Sequence, residues 1–226
     1  GGIMQYKNST HTDWVNIGSS VETFASNILV VTTTSNITIP ADTIGIKIKA
    51  VGAGGAGGAA DPAYYSQGGG GGAGGFIELS YKHPDLSNQY IQVSIGESTT
   101  GTGGNTKIYL KTSPTALPSA FTMLCDAYGG QVGETFNTTT LTSSGGLGGA
   151  GAIASGLINA GYVSDGKRGQ PGYYSENQNM RYYHGGRGGD SVFGSGGAGA
   201  YVGGDATNAG YGAGGGGGIF YNDGAS

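Results

Sequence analysis

Cysteine is all but absent: Cys125 stands alone, so no intrachain disulfide framework can staple the fold, and no Cys/His spacing of zinc-ligand type occurs. Within Met123-Leu-Cys125 it reads as a small buried hydrophobe. Charge is scarce as well. Charged residues make up 11% of the chain and the net charge is −4, which excludes a nucleic-acid binder that works by neutralising phosphates. No stretch approaches the roughly 18 apolar residues of a membrane-spanning helix, and no basic-plus-apolar leader opens the chain, so membrane insertion is not expected. An apolar stripe of period 3.6 is missing throughout, which sets the expected helix content near zero.

Glycine fills that space, supplying 51 of 226 residues, roughly three times the average of about 7%. It is not diluted as in a flexible linker. Residues 52–58 and 68–75 are two runs joined by 59–67, with strand-like sequence on either side, and further runs follow at 145–151, 185–189, 194–199 and 210–218. Runs of similar length imply packed rods. Without a Cβ, an extended helix of three residues per turn can approach neighbours on every side. Such a helix has no internal hydrogen bonds, so each buried N–H and C=O must find a partner on another rod. The opposing term is glycine's large conformational entropy, and an ordinary apolar base is therefore expected alongside.

That base is legible as period-two patterning. Ile28 to Thr34 is apolar and β-branched; Ile37 and Ile39 alternate up to Pro40; Ile44, Ile46 and Ile48 oppose Lys47 and Lys49. Ile77, Leu79 and Tyr81 repeat the pattern, as do Ile91, Val93 and Ile95, then Ile108 and Leu110, with 121–125 a further strand. The expected fold is all-β with extensive irregular structure: a small antiparallel β base plus a lattice of polyglycine II helices linked by long loops, with almost no α-helix. Residues 1–26 read as a neck, with Trp14 as its packing anchor, and 27–226 as one glycine-rich domain. Within that domain 27–128 is mainly base and first glycine hairpin, and 129–226 is lattice and loops. The Gly1-Gly2 opening gives the expectation of a segment excised from a longer chain.

Chemical motifs are weak. Gly52-x-Gly54-x-x-Gly57 follows a strand but precedes no helix that could hold a pyrophosphate. Gly161-x-x-x-x-Gly166-Lys167 carries Arg168 where a phosphate-binding loop needs Ser or Thr. Gly185-Gly-Arg-Gly-Gly-Asp190-Ser-Val-Phe193 fits one calcium nonapeptide, yet calcium rolls need tandem copies, so Asp190 is only a weak metal candidate. No paired carboxylates mark a glycosidase site. No catalytic residue and no cofactor is expected, and the protein is not expected to be an enzyme.

Aromatics carry the stronger signal. Tyr64 and Tyr65, Tyr173 and Tyr174, and Tyr182 and Tyr183 are doublets between glycine runs, and tyrosine gives rigid contact area with a polar tip. The connector 152–184 also holds Tyr162, Arg168, Arg181 and His184; it exceeds the usual limit of roughly 12–15 residues for structureless loops, which points to function or mobility. These ten residues form the candidate binding set, with the arginines available to phosphates or carboxylates.

Ile37-Thr-Ile-Pro40, then Ile44-Gly-Ile-Lys-Ile-Lys-Ala-Val-Gly-Ala-Gly-Gly55, Gly70-Gly-Gly-Ala-Gly-Gly75 and Gly188-Gly-Asp-Ser-Val-Phe-Gly194 resemble the C-terminal glycine-rich domain of bacteriophage tail fibres, similar to the glycine-rich adhesins of T-even-like phages. The resemblance spans roughly residues 27–220. It implies a homotrimeric tip at the distal end of a virion's tail fibre, continuous with the rest of that fibre. Its implied partner is a bacterial surface receptor, either a lipopolysaccharide or capsule glycan or an outer-membrane protein, with no nucleic acid. The rival readings are an inert fibre segment, an ice-binding or other flat-surface binder, and a capsule depolymerase.

Overall fold

The computed structural model describes residues 5–6, 15–16, 28–41, 43, 45–62, 66–81, 86, 89–98, 100–113, 115, 121–154, 160–177, 180–201 and 205–220. Contacts divide the chain into Gly1–Val31 and Thr32–Ser226. In the first unit β1 (Gln5–Tyr6) pairs antiparallel with β2 (Val15–Asn16). Among the described residues there is no helix; the chain is all-β, in several small antiparallel sheets.

The alternating segments of the second unit form its base. One sheet holds β4 (Ile46–Val51), β6 (Phe76–Tyr81) and β11 (Ala160–Ser164), with β6 central. The other runs in the order β10 (Gly151–Ile153), β9 (Thr122–Ala127), β8 (Thr106–Lys111), β7 (Tyr90–Ser94) and β3 (Ser35–Thr38). β6 packs against β9 and β10. Ile77, Leu79, Leu124 and Cys125 are fully buried in this base, and each large aliphatic side chain there contributes about 1.5–3 kcal/mol. Residues 28–34, expected as a strand, lie outside every ladder among the described residues, and Ile28 is 90% exposed. A β-branched run becomes a strand only where a partner edge takes up its backbone groups.

Rods rise from the base. Residues 68–75 form the central one, and every third residue addresses the same neighbour. The N–H groups of Gly68, Gly71 and Gly74 donate to the carbonyls of Gly218, Gly215 and Gly212; those of Gly69, Gly72 and Gly75 donate to Glu134, Gln131 and Tyr128; those of Gly70 and Ala73 donate to Gln170 and Lys167. In return, Gly58, Gly55 and Gly52 donate to Gly69, Gly72 and Gly75, Gly146 and Gly149 to Gly70 and Ala73, and Gly186 and Gly189 to Gly68 and Gly71. Six rods thus surround one, with bonds of 2.7–3.0 Å, three accepting from it and three donating to it. This is hexagonal packing of threefold helices. Gly212, at φ 68, is the one positive-φ glycine among the described residues, so the rods take the negative-φ, left-handed sense of polyproline II. That sense also admits L-residues wherever a rod side faces solvent.

Register fixes direction. Residues 52–58, 128–134, 166–170 and 212–218 run antiparallel to the central rod, while 144–150 and 185–189 run parallel to it. The central rod ends in β6 at the strand end of the lattice. Residues 52–58 lead away from β4 to the opposite, far end, about 22–25 Å off for seven or eight residues at about 3.1 Å each.

Candidate functional site

The far end is where outbound rods turn back. After 128–134, a turn closes at Asn137, whose Oδ1 accepts from the N–H groups of Thr139 and Thr140 at 2.9 and 3.1 Å. Asn137 and Thr142 bridge, and Leu141 sits at φ 56, exposed to solvent. After 166–170, the chain forms the hairpin β12 (Tyr173–Asn177) and β13 (Met180–His184). After 212–218, β14 (Ile219–Phe220) pairs with β5 (Ser66–Gln67), and β13 packs against both. Polar side chains tie these turns together. The Gly172 N–H donates to Ser143 Oγ at 3.2 Å, joining hairpin to turn, and Ser66 Oγ receives the Asp61 N–H at 2.7 Å and donates to the Asp61 carbonyl at 3.0 Å.

The hairpin's aromatic residues face each other across the ladder. Tyr173 and His184 are directly opposite, their rings stacked at 4.7 Å and 15°. Tyr174 and Tyr183 are opposite too, at 6.3 Å and 38°. Cross-strand aromatic pairs each add roughly 0.2–1 kcal/mol, so the rings hold a ribbon that would be marginal alone. Tyr183 is buried and anchors it, while Tyr173 and Tyr174 are more than half exposed. His184 also bridges Tyr201, itself exposed.

The lattice therefore sorts the sequence-derived candidates. Tyr173, Tyr174, Arg181, Tyr182, Tyr183 and His184 lie together on the far-end hairpin. Tyr162 belongs to β11 at the strand end, its ring 6.4 Å from that of Phe76. Arg168 lies within rod 166–170 and donates its Nε–H to the Gly145 carbonyl at 3.1 Å. Tyr64 and Tyr65 lie outside the described residues. The described residues of 152–184, a span expected as one long connector, include strand, rod and hairpin. No glycine run marks this rod, because 166–170 is at the lattice surface, where Lys167, Arg168 and Gln170 are exposed and only Gly166 and Gly169 must be small. Tyr201 and the turn at Asn137 were not among the candidates; the Asn-Thr-Thr sequence, a side-chain-to-backbone turn signal, was the clue to the latter.

Asp190 has a structural partner set. Its Oδ1 accepts from the Gly196 N–H at 2.9 Å and from Arg187 Nη2 at 2.7 Å, and its Oδ2 lies 3.6 Å from Lys167 Nζ. The Gly196 N–H above all, then the charges of Arg187 and Lys167, hold its carboxyl below the ordinary 3.8. No group of three His, Cys, Asp or Glu is gathered for a metal among the described residues. A cleft of about 210 Å³ beside Asp190, Lys167 and Phe76 is smaller than the roughly 300–1,000 Å³ of small-molecule pockets. The far end offers a surface instead, one of rings and hydroxyls.

A family model described as a glycine-rich domain matches residues 30–226. No curated protein and no solved structure matches the chain.

Proposed function

The chain belongs to the glycine-rich domain family, and from that premise we propose that it is the receptor-binding tip of a bacteriophage tail fibre, attaching the virion to a bacterial surface without chemistry. The observation that carries this reading is the concentration of aromatic residues on a hairpin at the far end, held by a lattice whose other end is closed by the β base. Exposed tyrosines on a rigid scaffold lose little entropy on binding. The strained backbone of Leu141 lies on the same surface, and strain of this kind collects at ligand-contacting segments. The end away from the hairpin is left for the remainder of the fibre. The tip acts as a homotrimer, so that three weak contacts become firm attachment.

The test is binding of the fluorescently labelled chain to a panel of bacteria. Saturable binding to a narrow subset of strains is expected. A folded chain that binds none of them, or all of them alike, would overturn the reading.

A further inference from the structure

Most of the second unit's described cations are held by rod carbonyls or carboxylates. Arg168 is bound to a rod carbonyl, Arg187 is paired with Asp190, and Lys167 approaches the same carboxylate at the strand end. Lys47 and Lys49 lie on β4 against Glu78, and Lys107 on β8 against Asp126. Arg181 stands opposite Glu176 in the backbone register of the hairpin. A phosphate- or carboxylate-bearing ligand needs several open cations, and Lys167 and Arg187 are engaged with Asp190 instead.

Rings and neutral hydrogen-bonding groups take their place. Tyr173 pairs with His184, and His184 bridges Tyr201. Residues directly opposite each other share a face, so Tyr201 stands on the face that carries the stacked rings of Tyr173 and His184. The 4.7 Å ring separation of Tyr173 and His184 matches the strand spacing of about 4.7–4.9 Å. β12 pairs with β13 alone among the described residues, and Tyr173 on it is 55% exposed. Beside it, through the Gly172–Ser143 hydrogen bond, lies the turn with exposed Thr138, Thr139, Thr140 and Thr142.

Given the attachment reading above, on which this rests, we infer that the receptor is a neutral saccharide. The C–H face of a pyranose ring stacks on exposed Tyr173, and its hydroxyls meet the threonine hydroxyls of the neighbouring turn, each able to donate and accept. The negative ring face favours the weakly positive C–H edges of a sugar and disfavours an anion.

The test uses the full chain on immobilised neutral polymers of glucose, galactose, mannose and rhamnose, and on the same polymers bearing sulfate, at about 50 and 300 mM salt. The expected result is binding to at least one neutral polymer, changed less than about twofold by salt because a neutral ligand forms no ion pair to be screened. Tyr173→Ala and, separately, Tyr201→Ala should each weaken it at least about tenfold with an unchanged melting temperature. Binding to sulfated polymers alone, falling steeply with salt, would overturn the inference. A second arm uses cells to which the chain attaches. Attachment lost after periodate oxidation of surface sugars supports the saccharide; attachment that resists periodate and is lost to protease sinks it, while leaving the attachment reading intact. Attachment to no cell at all would remove both.

Discussion

A methyl group added at Gly71 would sit on the backbone carbonyls of Gly55 and Ala56, whereas one added at Gly218 meets nothing nearer than 3.7 Å. Both residues donate an N–H to a neighbouring rod, and alanine would keep that bond, so the two substitutions differ only in room. Gly71→Ala should cost at least about 3 kcal/mol by overpacking a site enclosed on all sides. Gly218→Ala should be neutral or stabilise by up to about 1 kcal/mol, since alanine narrows the unfolded ensemble; denaturant melts of the two variants check both. Leu141 makes the complementary case, because its φ of 56 is a conformation that costs an L-residue about 1–2 kcal/mol and that asparagine tolerates better. Leu141→Asn is therefore expected to raise stability by up to about 1 kcal/mol in the same melts. Cys125 is sealed in the base, where burial first and the Asp126 charge second push its thiol up to about 12. It should stay unalkylated by iodoacetamide at pH 8 in the native chain and react on unfolding.

Between residue and molecule lie the rods, strands and hairpin, and they were not equally legible. Strands of the base announced themselves by alternation: buried Ile77 and Leu79 flank half-buried Glu78, Ile91 and Val93 flank Gln92, and Ile108 and Leu110 flank Tyr109. The central rod was equally plain, since six neighbours leave it almost nothing but glycine. Rods 128–134 and 166–170 sit at the lattice surface, where every free side accepts a residue such as Gln131, Glu134, Lys167 or Gln170, and a search for glycine runs passes over them. The hairpin was hidden for another reason. Tyr173-Tyr174 and Tyr182-Tyr183 put rings on both faces of a two-stranded ribbon, so no alternation marks its strands. Acid should act at this scale as well. Asp190 ties the turn after 185–189 to Gly196, and Glu78 joins β6 to β4 through Lys47 first and Lys49 second; both carboxyls are held below their ordinary 3.8 and 4.5. Their contribution is complete above those ordinary values and is lost as pH falls through the lowered folded ones. The melting temperature should therefore be flat from pH 7 to about 5 and fall below about 4, less steeply in Asp190→Asn and Glu78→Gln.

As a whole, the molecule separates two tasks along the length of its rods. The base supplies an apolar core of ordinary kind, and the lattice carries the chain outward and back with nearly every backbone group of its central rod satisfied. Each such hydrogen bond is worth only about 1 kcal/mol net, but glycine at the contacts lets them form in six directions at once. Loops at the far end are then freed from any part in the core, and their residue types follow the surface they meet. The most direct measurement is saturation binding to a susceptible strain by the full chain and two variants, each confirmed to melt like wild type. One carries Tyr173→Ala, Tyr174→Ala and Tyr201→Ala at the far end. The other carries Val192→Ala and Tyr211→Ala, exposed residues near the strand end. Loss of at least about tenfold in affinity for the first, with the second unchanged, is the predicted result. Retained binding by the far-end variant, or loss confined to the strand-end variant, would contradict the account.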